Sequence, residues 1–566
     1  MPIREQAFQV PRGSSSNILC PNVETSAAGQ RALKRRTRGV VAAGDPQTAA
    51  AGAHALRAGG NATDAAVAAA LAAFVCEMPL ASPLGGGVLV AWHPGQPPVS
   101  LDFFTRTPGL GGGRVALPSD FDHVAVDFGA TSQIFHVGRA SAAVPLALPG
   151  LLEAHRRWGR LPLPEVAAPA IELGTLGYVL GEQVAYVFSL LVPIVTRSSE
   201  CQALYFDGDE VARGGARLNN PDLAQTLRDV ARDPGHLRGA YEQLAREFAP
   251  REGGLITSED VRCLEVVEAA PVVVEHGEWQ LATMPPPSSG GVLVALGLKL
   301  LEGVGAEAPF LSQAHLRRLM CVQDTLLDVR DERFDLSCRD AGFVCDLLSP
   351  RRVSELRARA GTHAAQAPGN QLGSTTHISA LDEAGSAVTL TLTNGEGCGH
   401  VLSGTGMVVN NMLGEEDIHP RGFHRDEPGT RLSTMMAPTV LRGRDRIIAL
   451  GSGGSNRLRT AILSVASHLV EHGVSPQAAV DAPRLHLEPV RSRRGGDGRW
   501  VRSLAYECVG LEAPAQQELR RDYPDAPVAF AQQNMFFGGV HVAMREDGVF
   551  SGAGDSRRGG SVAVVD

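Results

Sequence analysis

A change of texture at Ser374-Thr375-Thr376-His377 constrains what this chain can fold into more than any other feature. Upstream, the patterning is mostly helical. Residues 361–373, rich in Gly, Thr, His, Ala, Gln, Pro and Asn, then read as an exposed linker. Downstream, Thr375 to Leu381 and Ser386 to Leu392 alternate like paired strands, with Asp382-Glu383-Ala384-Gly385 as the hairpin turn. More strands are predicted at Met407 to Asn410, Thr439 to Leu441, Arg446 to Leu450, Val540 to Met544 and Val562 to Val565. A helix is predicted from Arg459 to Gly473. Helix-rich then strand-rich halves predict an α/β protein, an αββα sandwich whose helical layers cover stacked antiparallel sheets.

The upstream half supplies layers of its own. Residues 1–38 read as a loose arm. Gly39 to Ala43 reads as a short strand. Asp45-Pro46 opens a helix, with Asp as cap and Pro at the first position, and Gly59-Gly60 ends it. A second, alanine-rich helix is predicted from Asn61 or Thr63 to about Cys76. Gly85-Gly86-Gly87 precedes a strand from Val88 to Trp92; with no GxxxxGK[ST] or GxGxxG present, it is a tight turn and not a phosphate cradle. Helices fill Pro149 to Leu264, and Glu265 to Val274 and Trp279 to Ala282 read as strands. Pro285 to Gly291 is a rigid loop leading into a helix from Val292 to Leu301.

Composition removes other classes. Of 566 residues, 44% are hydrophobic and 20% charged, which excludes collagen, coiled coil and a disordered chain. A net charge of -9 argues against nucleic acid as a partner. No run approaches the roughly 18 apolar residues of a membrane span, so no membrane partner is expected. The N-terminal residues lack the apolar stretch of a signal peptide, and Lys34-Arg35-Arg36 reads as a solvated charge run. A cytoplasmic protein is expected. Nine cysteines, an odd number without CxxC, give neither a disulfide framework nor a zinc site. HExxH is missing too, so no metal and no cofactor are expected.

Chemistry is best placed at the texture change. A threonine hydroxyl is a weak nucleophile without a neighbouring base. A cut before Thr375 would turn its own α-amine into that base, because such an amine titrates near pH 7.7–8.0. One residue then supplies nucleophile and base. Gly451-Ser452-Gly453-Gly454-Ser455-Asn456, between a strand and a helix, can aim backbone N–H groups at an oxyanion, or simply open the helix. Leu432-Ser433-Thr434-Met435 offers hydroxyls. Asn410-Asn411 and Glu415-Glu416-Asp417 offer acceptors for an ammonium group, or a solvated acidic loop.

From Gly39 to its C-terminus the chain resembles the γ-glutamyltranspeptidase family of N-terminal nucleophile hydrolases. The resemblance rests on segments in a fixed order. They are Gly59 to Ala66, Gly85 to Gly87, Leu161 to Ile171, Met284 to Gly291, Ser374 to His377, Leu432 to Thr439 and Gly451 to Arg457. It implies a proenzyme that cleaves itself between Ser374 and Thr375, giving a large chain (39–374) and a small chain (375–566) that stay intertwined. Thr375 would then attack a γ-glutamyl-type amide such as glutathione and pass the acyl group to water or an amine. By the same resemblance Thr393 assists the nucleophile, and Asn394 binds substrate after a one-residue slip. Ser433 and Thr434 hold the α-carboxylate. Gly453 and Gly454, or Gly454 and Ser455 in the adjacent register, form the oxyanion site.

Two departures concern the substrate. Phe104 stands where the family has its carboxylate-binding arginine, and Arg106 reaches that carboxylate only if the loop differs. Glu415 stands where the family's aspartate grips the α-amino group. Two alternatives follow: an acylase or small-amide hydrolase on the same scaffold, and an unprocessed, silent binding protein.

Overall fold

Backbone capping sets the first layer. Asp45 accepts the Gln47 amide and Pro46 takes the first position of the helix Pro46–Arg57. Asn61 and Asp64 then form a reciprocal capping box that starts the helix Ala62–Cys76. That second helix is buried along its whole length, and its alanines allow close approach to the strands beneath. The computed structural model describes residues 36–566 apart from 113–119, 128–131, 304, 306, 331–332, 360–373, 420, 492–499 and 525–526. The loose arm, apart from its last residues, and the 361–373 linker therefore lie outside the described residues.

Two antiparallel sheets stack face to face. The first has seven strands in the order Val267–Ala269, Val99–Phe103, Gly86–Trp92, Ala387–Thr393, Thr375–Asp382, Gly39–Ala43 and Ser561–Val565. The second has six, in the order Val272–His276, Trp279–Thr283, Thr439–Arg442, Arg446–Gly453, Gly539–Glu546 and Val549–Ala553. The helices Pro46–Arg57 and Ala62–Cys76 cover the first sheet, while Ser289–Leu301 and Leu458–His472 cover the second. This is the expected αββα arrangement.

The hairpin after Ser374 forms in the expected register, with Thr375 opposite Thr393 and Leu381 opposite Ala387. The strand read at Met407 to Asn410 shrinks to Met407–Val408. The single run read from Glu265 to Val274 breaks before Pro271. Val267–Ala269 joins the first sheet and Val272–His276 the second, because proline cannot donate to a ladder. A three-stranded sheet of Leu485–Arg491, Trp500–Glu507 and Val528–Phe530, packed on the helix Gln313–Val329, was not anticipated.

Candidate active site

The hairpin alone brings the Ser374–Thr375 peptide bond to a hydroxyl. Thr393 Oγ1 donates to the Ser374 carbonyl at 2.7 Å and accepts from the Gly395 amide at 3.0 Å. With that amide on its acceptor side, the hydroxyl proton is directed at the carbonyl that precedes Thr375. Ser374 is gripped from another direction by Glu396, which accepts the Ser374 amide at 3.0 Å and the Ser374 hydroxyl at 2.6 Å. Burial pushes the Glu396 carboxyl up to about 8, against the opposing pull of the Ser374 hydrogen bonds and the Arg558 charge.

The second sheet delivers the glycines. Gly451 and Gly453 lie on the face of Arg446–Gly453 turned toward Thr375–Asp382. A Cβ on Gly453 would overlap the Thr375 carbonyl oxygen, and one on Gly451 the His377 ring. Gly454 has φ +123 and backs onto Gly538. Glycine is what lets this backbone approach Thr375 so closely. Between the sheets, His377 is held by Thr391 at 2.8 Å and Ser379 at 2.9 Å. Burial keeps it neutral, so it is a packing group and not a second charge beside Thr375.

The acidic corner forms next to the same turn. Asn394 is buried, and neither atom of its amide group has a hydrogen-bond partner among the described residues. Glu415 Oε1 is likewise unpartnered, and a Cβ on Gly395 would overlap it. Burial, with Asp417 and Glu396 nearby, pushes the Glu415 carboxyl well up.

The segment assigned to the carboxylate is arranged differently. Thr434 Oγ1 accepts from the Met436 amide at 3.1 Å. Ser433 Oγ accepts from Arg339 at 3.4 Å, and Arg339 also donates to the Arg431 carbonyl at 2.7 Å. Arg106 pairs through its backbone with Val144 and Arg431, but its guanidinium donates to the Cys263 carbonyl. Phe104 is fully buried in the core of the second sheet. Thus Ser374, Thr375, Thr393 and Gly453 meet at one point, Asn394 and Glu415 adjoin it, and the Arg106 side chain is committed elsewhere.

Three residues escaped the sequence reading. Glu77 accepts Thr376 at 2.6 Å and Thr48 at 2.7 Å, with its carboxyl pushed to about 7 by burial and by Asp45. An acid closing the apolar helix Ala62–Cys76 was its only signal. Glu396 had no signal beyond its flanking glycines. Arg558 lines, with Ser374 and Glu396, a cavity of about 900 Å³ whose apolar wall includes Tyr186, Leu190, Met535 and Phe536. Among the described residues, no three His, Cys, Asp or Glu side chains are grouped to hold a metal ion, and no helix is long and apolar enough to cross a membrane.

Residues 48–565 match the family described as Gamma-glutamyltranspeptidase. The chain is 30% identical over 544 residues to an acylase ACY 1 proenzyme of Pseudomonas sp. (strain SE83), covering 94% of each. It is 27% identical over 500 residues to a glutathione hydrolase proenzyme of Bacillus subtilis (strain 168), covering 81% of this chain and 82% of the relative. Among solved structures, a cephalosporin acylase from Bacillus halodurans superposes with a TM-score of 0.75 at 23% identity, covering 96% of this chain and 99% of that one. That likeness carries the fold alone, the αββα sandwich described above.

Proposed function

Because this chain belongs to the γ-glutamyltranspeptidase family of hydrolases, we propose that it cuts its own Ser374–Thr375 bond and then uses Thr375 on γ-glutamyl-type amides. The observation that carries this reading is the Thr393 hydroxyl seated on the Ser374 carbonyl, with Thr375 opposite in the ladder. In processing, Thr375 Oγ forms a bond to the Ser374 carbonyl carbon while the carbon–nitrogen bond breaks, and the departing nitrogen takes up the hydroxyl proton. Thr393 stabilises the charge that grows on the carbonyl oxygen. Water then hydrolyses the ester, leaving a Ser374 carboxylate and a Thr375 with a free α-amine. In turnover that amine takes the Thr375 hydroxyl proton as Oγ attacks the substrate amide. The acyl-enzyme passes its acyl group to water or an amine. Asn394 and Glu415 are the groups placed for an α-ammonium.

A second reading keeps this chemistry and changes the acyl group to one without the amino-acid head. It is favoured by the buried Phe104 and by the Arg106 guanidinium, which is held on the Cys263 carbonyl. Intact masses and N-terminal sequencing test the shared step. A fragment starting Thr375-Thr376-His377, absent in Thr375→Ala, is expected; a wild-type chain that stays whole overturns it. γ-Glutamyl and glutaryl p-nitroanilides, which differ only in the α-amino group, then separate the two readings.

A further inference from the structure

Arg558 is 7% exposed and lines the cavity beside Ser374. Among the described residues its guanidinium has no hydrogen bond or ion pair, and its Nε is buried without a partner. Its neighbours behave otherwise. Arg484 pairs with Asp555 at 2.9 Å, and Arg557 with Glu507 at 2.5 Å and Asp555 at 3.1 Å. The acids nearest in charge to Arg558 are therefore in use, Asp555 by those two arginines and Glu396 by Ser374. A buried cation with no anion in hydrogen-bond contact is costly, so a fold that keeps one has room for an anionic partner.

The position is fixed. A Cβ on Gly539 would press on the Arg558 stem at 2.8 Å. The guanidinium lies 3.6 Å and 3.5 Å from where side chains on Gly453 and Gly454 would begin. This charge thus borders the nucleophile's own turn. Ser374 is the acyl side of the bond cut in processing, so the space it borders is on the acyl side.

Resting on the self-cleavage reading above, we infer that Arg558 binds a carboxylate at the free end of the substrate's acyl group. It supplies the charge missing at Phe104. The substrate class is then an amide of a dicarboxylic acid, with or without an α-amino group.

The test compares glutaryl p-nitroanilide with its methyl ester, the same acyl chain without the charge. Wild-type enzyme is expected to prefer the free acid at least about tenfold in kcat/KM. Arg558→Gln is expected to lose about ten- to hundredfold on the free acid and little on the ester, with Arg558→Lys intermediate. Equal wild-type rates on the two substrates overturn the inference, and this comparison decides even if Arg558→Gln does not fold. An Arg558→Gln enzyme that self-cleaves slowly yet keeps the preference also overturns it, and gives the guanidinium to the new Ser374 carboxylate. A wild-type chain that never self-cleaves removes the underlying reading, whereas one that cleaves but ignores the charge removes this inference alone.

Discussion

Replacing Thr393 by valine isolates the step on which the functional reading depends. Valine matches threonine in shape, so packing in the hairpin is kept. What goes is the donor to the Ser374 carbonyl, 2.7 Å away, and the acceptor for the Gly395 amide. A preorganised donor to a developing oxyanion accounts for about 2.7–4 kcal/mol, a factor of about 10²–10³ in rate. The stranded Gly395 amide costs about 1–3 kcal/mol of stability, a lesser and separable effect. Thr393→Val should therefore fold, melt somewhat earlier, and self-cleave at least a hundredfold more slowly. Thr393→Ser, which keeps the hydroxyl, should cleave near the wild-type rate. The assay is a time course of intact masses after a pulse of cell-free synthesis, which catches the precursor before it is consumed. Cleavage of Thr393→Val within about threefold of wild type would refute the argument, because the carbonyl would then need no hydroxyl.

Other expectations follow from the same contacts. In a Thr375→Ala precursor, the Glu396 carboxyl is raised to about 8, so it binds its proton more tightly folded than unfolded. Its contribution is complete below the ordinary glutamate range and is lost as pH rises through about 8. Melting temperature should fall between pH 5 and 8.5, and less steeply in Glu396→Gln. Glu77, raised to about 7, leaves a residual slope of the same sign. Gly453→Ala should abolish self-cleavage, read by the same masses, since its methyl would overlap the Thr375 carbonyl. Arg557→Leu strips Glu507 and Asp555 of a fully buried partner and should cost about 3–5 kcal/mol in denaturant titration, where an exposed pair such as Arg238–Glu242 would cost under about 1.

What the sequence revealed, and what it hid, divides by range. The caps at Asp45 and Asn61, the helix stop at Gly59-Gly60 and the hairpin at Asp382 to Gly385 act within a few residues, so local pattern was enough to find them. Thr375 and Thr393 could be paired because a hairpin register converts sequence spacing into distance. Glu77 and Glu396 gave no such handle. Each matters through a hydroxyl on another segment, Thr376 and Ser374 respectively, and a lone glutamate looks the same whether solvated or buried. Arg106 shows the opposite limit. It was the nearest arginine in sequence to the expected place, yet its guanidinium lies on the Cys263 carbonyl, 157 residues away. The split at Pro271 was visible as a proline, but which sheet each half would join depends on partners far along the chain.

The same topology explains how a cut at Ser374–Thr375 could leave one body. In the first sheet Gly39–Ala43 is sandwiched between Thr375–Asp382 and Ser561–Val565, so an upstream strand has downstream strands on both edges. Ala387–Thr393 is likewise held between Thr375–Asp382 and the upstream Gly86–Trp92. In the second sheet Trp279–Thr283 pairs with Thr439–Arg442. Separating the two pieces would break these four ladders and expose the layer between the sheets, so the peptide bond contributes little to holding them together. The bond can therefore be given up for a free amine without loss of the fold. The Arg484–Asp555–Arg557–Glu507 network, built wholly from residues after Thr375, gives a related advantage. It fixes the backbone around Arg558 and Gly539 without using any residue before Thr375, so the proposed cut would leave the proposed carboxylate site in place.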